Sequence, residues 1–148
     1  MNNDLTLVIP AKNEKESLYF VINEIEKLKL GASIYFVVEK RDFSTINVIR
    51  RFNHRIIYQT NKGYGDALIK GISSVKTKYF CIFNADASFN PIELKKMLRI
   101  ARLSNPDFIF ASRYEKKCSS EDDTLVTKFG NFFFTKLGNF LFKLKITD

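Results

Sequence analysis

Tryptophan is absent from the 148 residues, histidine occurs once and cysteine twice. His54, Cys81 and Cys118 are too few for a four-ligand zinc site or a disulfide framework, and they leave no basis for Cys–His catalysis or a His-rich metal cluster. No apolar run reaches the roughly eighteen residues needed to cross a bilayer. The opening MNNDLTLVIP has neither a basic leader nor a long apolar segment, so the expectation is a cytoplasmic protein. Proline occurs only three times, and no Pro/Gly linker, low-complexity tract or internal repeat divides the chain. One domain over 1–148 is therefore expected.

What the sequence does have is basic charge and phenylalanine. Lys and Arg number 24 against 16 Asp and Glu, a net +8, a balance that favours anionic partners such as phosphorylated molecules, lipid head groups or nucleic acid. Phe occurs 15 times, and 45% of residues are apolar, enough for a sizeable core.

Short apolar runs alternate with helical patterns. Leu5–Ile9 reads as a buried strand ended by Pro10. Asn13, with Glu16 three residues on, has the spacing of a helix cap. Leu18, Val21, Ile22, Ile25 and Leu28 then recur on one helical face, closed by Gly31. Ile34–Val38 is a second strand, followed by a short helix near Thr45–Phe52. Ile56–Tyr58 is a third strand, and the helix over 66–75 turns Leu68, Ile72 and Val75 inward. Tyr79–Phe83 is a fourth strand. Asn90 and Pro91 open a further helix, with Leu94, Met97, Leu98 and Ala101 as its buried stripe. Phe108–Ala111 is expected to form a fifth strand, and 124–145 a final amphipathic helix. Strands alternating with helices predict an α/β fold, a mostly parallel sheet flanked by helices, with ligands at the carboxyl ends of the strands.

The polar segments at those ends carry a resemblance. Val8-Ile9-Pro10-Ala11-Lys12-Asn13-Glu14, Asn61-Lys62-Gly63-Tyr64-Gly65-Asp66, Asn84-Ala85-Asp86-Ala87-Ser88 and Ala111-Ser112-Arg113-Tyr114 resemble, in order and spacing, the loops of family-2 glycosyltransferases of GT-A fold. Among these the likeness is to the dolichyl- and polyprenyl-phosphate mannosyl- and glucosyltransferases. The resemblance implies an inverting transfer of a hexose from a UDP- or GDP-sugar to a polyprenyl phosphate, assisted by Mg or Mn. It implies Asp86 and Ser88 as metal-binding residues and Asp86 and Arg113 as catalytic ones. It also implies a substrate-binding set of Pro10, Ala11, Asn13, Glu14, Glu39, Lys62, Gly63, Gly65, Asn84 and Ala85.

Two positions depart from the family pattern. Glu39-Lys40-Arg41 stands where Asp-Asp-Gly is usual, and Asn84 replaces the first acid of the Asp-x-Asp motif. They motivate an alternative, a catalytically impaired GT-A-like binding or assembly module. The sequence also reads as cut short after Asp148. From 124 to 147 there is no acid, while Phe129, Phe132, Phe133, Phe134, Phe140 and Phe142 stand among Lys128, Lys136, Lys143 and Lys145. That pattern suits either a core helix or an interfacial one, and relatives in the polyprenyl-phosphate branch favour peripheral membrane contact through 128–145. A nucleic-acid partner rests on net charge alone; no specific nucleic-acid motif accompanies it.

Overall fold

A computed structural model of the chain describes residues 3–111 and 125–143. It divides into two units, residues 1–106 and 107–148. In the first, four strands, β1 (Leu5–Pro10), β2 (Ser33–Val38), β3 (Arg55–Tyr58) and β4 (Tyr79–Ile82), alternate with α1 (Leu18–Lys27), α2 (Phe43–Ile49), α3 (Tyr64–Ser73) and α4 (Glu93–Ser104). All strand pairs are parallel, in the order β3-β2-β1-β4. Val8 lies beside Tyr35 on one side and Ile82 on the other.

The apolar runs form strands because both faces of the sheet are covered. Leu7, Ile9, Phe36 and Val38 meet Leu18, Val21 and Ile22 of α1, Ile46 and Ile49 of α2, and Leu94 and Leu98 of α4. Val8, Val37 and Ile57 face α3. The one polar side chain inside β1, Thr6, lies 2.8 Å from the Thr77 hydroxyl, which donates to the Tyr79 carbonyl, so its burial is compensated.

α3 differs from expectation in the face it presents. Leu68 and Ile72 are half-buried, and the residues against the sheet are Ala67 and Gly71. A Cβ on Gly71 would overlap Val8 Cγ1 and stand 2.9 Å from Val37 Cγ2. Small residues let this helix lie close to β1 and β2, a packing that periodicity of large apolar residues does not reveal.

Two helix starts also move. Asn13 adopts a left-handed conformation (φ 59°) instead of capping, and α1 begins at Leu18. Asn90 accepts the Ile92 N–H at 3.1 Å, but regular helix begins only at Glu93.

In the second unit Phe108–Ala111 forms no strand. Phe108 and Phe110 stack on each other at 6.0 Å and are 76% and 75% exposed; two apolar side chains on one side of an extended segment make a strand only when a neighbour pairs with its backbone. Helix α5 spans Leu125–Phe142. Phe129, Phe134, Phe140 and Phe142 on it are exposed. No described helix is long and apolar enough to cross a membrane.

Candidate active site

After β3 the chain crosses the sheet to place β4 beside β1, so the order of strand addition reverses between these two neighbours. At such a point the loops leaving adjacent strands part and open a crevice. A cavity of about 350 Å³ lies there, and all four strands contribute to its wall: Pro10, Ala11, Lys12 and Glu14 after β1, Glu39 after β2, Gln59 after β3, and Asn84, Ala85 and Asp86 after β4. Gly63, Tyr64 and Ala67 bring the start of α3 to the same space.

The segments after β1 and β2 are clasped together. The N–H of Ala11 donates to the Val37 carbonyl at 3.0 Å, that of Asn13 to Asp42 Oδ2 at 2.7 Å, and that of Glu14 to Thr45 Oγ1 at 3.1 Å. Asp42 is buried and also caps α2, its Oδ1 accepting from the Thr45 N–H (3.1 Å) and the Ser44 hydroxyl (2.9 Å). Burial alone would raise the Asp42 carboxyl, but the donors from Asn13, Thr45 and Ser44 outweigh it and hold the group below its ordinary range. Lys12 and Glu39 add an ion pair at 2.8 Å across the same two loops.

The loop after β3 is braced separately. Asp66, in the first turn of α3, accepts from the backbone N–H groups of Thr60 and Asn61 (both 3.1 Å) and from Asn61 Nδ2 (3.0 Å). The Asn61 side-chain bond leads these in lowering the Asp66 carboxyl. Gln59 Nε2 donates to the Gly63 carbonyl at 2.9 Å. Gly63 itself has φ 105°, a conformation that side chains resist. After β4, Ala85 is buried, Asp86 is exposed and Ala87 turns through φ 63°. Asp86 Oδ1 accepts the Ser88 N–H at 3.0 Å, and Phe89 closes the loop edge-on against Phe83 at 5.6 Å.

Of the residues expected at the site, Pro10, Ala11, Glu14, Glu39, Gly63, Asn84, Ala85 and Asp86 meet at this cavity. Asn13, Lys62, Gly65 and Ser88 do not line it; Lys62 and Gly65 are exposed to solvent, and Asn13 and Ser88 serve through backbone bonds. Arg113, with Ser112, Tyr114 and Cys118, lies outside the described residues. Lys12, Gln59 and Tyr64 also line the cavity. Lys12 and Tyr64 stand inside the motifs already quoted, and Gln59 directly follows the third strand; position was the available signal.

The charge of the cavity opposes that of the chain. Three carboxylates, Glu14, Glu39 and Asp86, face one ammonium, Lys12, in a chain of net +8. Among the described residues no three His, Cys, Asp or Glu side chains cluster as a metal cage. The carboxylates of Glu14, Glu39 and Asp86 are oxygen donors of the kind that a divalent ion accepts. Burial pushes the Cys81 thiol up to about 11, so it offers no thiolate nucleophile at neutral pH.

Comparison with known proteins places this architecture. The glycosyl transferase family 2 model matches residues 6–148. The chain is similar to a dolichyl-phosphate hexose transferase of Haloferax volcanii, 23% identical over 146 residues, covering 99% of this chain and 63% of that protein. It is also similar to the low-salt glycan biosynthesis hexosyltransferase Agl6 of the same organism, 28% identical over 142 residues, covering 88% and 34%. An uncharacterized Methanocaldococcus jannaschii protein, MJ0544, is 27% identical over 120 residues, covering 74% and 52%. The chain thus spans between about one third and two thirds of the length of these relatives. Among solved structures, glucosyl-3-phosphoglycerate synthase from Mycobacterium tuberculosis, in complex with Mn2+, uridine diphosphate and phosphoglyceric acid, is similar with a TM-score of 0.55 at 17% identity. That likeness covers 67% of this chain and 39% of the other. The fold is GT-A.

Proposed function

The chain belongs to glycosyl transferase family 2, and from that premise we propose that it moves a hexose from a nucleotide sugar, UDP- or GDP-linked, to a polyprenyl or dolichyl phosphate. The observation that carries this reading is the acidic cavity at the carboxyl ends of all four parallel strands. A pocket with three carboxylates and one ammonium repels a bare diphosphate and accepts one that arrives with a divalent cation. The names of the Haloferax relatives support the hexose and the lipid-phosphate acceptor, and the Mn2+ and UDP of the solved neighbour support the donor and the cation.

In this reading an oxygen of the acceptor phosphate attacks the anomeric carbon. The bond from that carbon to the diphosphate breaks, its electron pair leaves with the diphosphate, and the configuration inverts. A phosphate is already ionised at neutral pH, so positioning and charge stabilisation outweigh the need for a strong general base. Asp86 would hold Mg or Mn, with Ser88 offering a hydroxyl and Asn84 a neutral amide oxygen; Arg113 would meet the phosphates. The bound cation supplies charge neutralisation to the departing diphosphate. Glu39 accepts from nucleoside donors, and Pro10, Ala11, Asn13, Glu14, Gly63 and Ala85 shape the backbone around it. Lys62 and Gly65 then contribute from the outer side of their loop.

A lipid-phosphate acceptor calls for contact with a membrane, and the segment 128–145 suits that contact. The exposed phenylalanines of α5 suit the boundary of a bilayer, and the exposed Lys136 and Lys143 suit anionic head groups, each worth about 1 kcal/mol at such a surface. The protein then works as a peripheral protein at the cytosolic face. Changing the lysines of 128–145 to Gln weakens binding to anionic liposomes and flattens its salt dependence; a chain that ignores such liposomes at low salt lacks this contact.

Asn84, in the cavity wall where the family carries an acid, favours a second reading, a GT-A-like module that binds nucleotide sugar without turnover. A transfer assay separates the two. Hexose appearing on polyprenyl phosphate from a UDP- or GDP-donor supports the enzyme, and binding with no transfer under any donor supports the module.

A further inference from the structure

Glu39 has an oxygen, Oε1, that is sealed from solvent. The Lys12 ammonium, 2.8 Å away, is what faces it. A carboxylate oxygen that has lost its hydration depends on whatever cation replaces it, and removing that cation leaves an uncompensated charge. The dependence runs mainly one way: the Lys12 side chain is 61% exposed and keeps access to water, while Glu39 is 24% exposed. Glu39 also raises the Lys12 ammonium above its ordinary value, by hydrogen bonding first and by charge second.

The pair is set on a fixed base. Asn13 and Glu14, the two residues after Lys12, are tied by their N–H groups to Asp42, which ends the loop that carries Glu39, and to Thr45 in the first turn of α2. Lys12 therefore reaches Glu39 from a backbone already docked on the same loop, which lowers the conformational entropy of forming the pair. With Oε1 committed to Lys12, Oε2 is the acceptor the carboxylate has left for a ligand. Both residues line the cavity.

We infer that Lys12 is a positioning residue of this site: it fixes the Glu39 carboxylate so that one oxygen remains for the hydroxyl and N–H donors of a nucleoside. This rests on the nucleotide-sugar reading above. It assigns to the side chain before Asn13 a role that acts through Glu39 rather than by direct grip on phosphate.

The test is calorimetric titration of UDP and of GDP, each with manganese, into the wild type, Lys12→Met, Lys12→Arg, Glu39→Gln and the Lys12→Met/Glu39→Gln double variant. For the nucleotide that binds, Lys12→Met weakens affinity about tenfold, Lys12→Arg restores most of it, and Lys12→Met has little further effect once Glu39 is Gln. Unchanged affinity in Lys12→Met overturns the inference. An equal loss in the Glu39→Gln background also overturns it, because Lys12 would then act on the phosphates alone. Unfolding midpoints are measured on the same proteins, and coupling confined to stability, absent from binding, reduces the pair to a structural contact and equally overturns it. A wild type that binds neither nucleotide removes the nucleotide reading itself, and Lys12's role falls with it.

Discussion

Replacing Asp42 by Asn keeps the volume and one carbonyl oxygen, so the helix cap to the Thr45 N–H survives while the charge and the second acceptor are lost. Where Asp42 Oδ2 takes the Asn13 N–H at 2.7 Å, the variant presents an amide NH2, donor against donor. A bond to a buried charged acceptor contributes about 1.5–3 kcal/mol, so Asp42→Asn should lose about 2 kcal/mol near neutral pH. Asp42→Ala also loses the cap and should cost about 1 kcal/mol more. The pH dependence gives a second reading of the same bond. Asp42 is lowered from its ordinary 3.8 in the folded chain, so its stabilisation is complete above the unfolded value and fades as the pH drops through the folded one. Urea titrations followed by circular dichroism from neutral pH downward should find a gap between wild type and Asp42→Asn that is constant above about pH 5 and closes in strong acid. Equal stability at neutral pH, or a gap that persists unchanged into strong acid, would mean that the Asp42 carboxylate does not stabilise the fold.

Other outcomes follow from single positions. Gly71→Ala drives a methyl into Val8 and Val37 and should cost about 1–3 kcal/mol in the same titrations, whereas Gly65→Ala meets nothing within 4 Å and should stay within about 0.5 kcal/mol. Ala87→Gly relieves a left-handed alanine (φ 63°) and should leave stability unchanged or raise it by up to about 1 kcal/mol, measured by thermal unfolding.

The parallel sheet was legible because Leu5–Ile9 and Ile34–Val38 are continuous apolar runs, a pattern that arises when both faces are covered. Burial of α1 was equally plain from Leu18, Val21, Ile22 and Ile25. Ala67 and Gly71 were not legible as a helix face, since close packing by small residues leaves no hydrophobic period. Asn13 looked like a cap because its side chain suits one; its backbone is left-handed and its N–H is held by Asp42, a partner 29 residues away. Phe108–Ala111 has the composition of a strand, but strands require a neighbour that local composition does not specify. The meeting of the loops after β1, β2 and β4 at one cavity was legible because strand–helix alternation puts them at one edge. Gln59 was missed because a single polar residue after a short strand carries no pattern, and Asp42 and Thr45 because they act on backbone N–H groups outside the cavity.

If the cavity takes a nucleotide diphosphate together with a divalent cation through Asp86, manganese should govern donor binding. Calorimetric titration of UDP- and GDP-sugars into the wild type and Asp86→Ala, each with and without manganese, tests it most directly. The wild type should bind one donor at least about tenfold more tightly with manganese, and Asp86→Ala should lose that enhancement. No binding of either donor, or a manganese effect that survives Asp86→Ala, would contradict it.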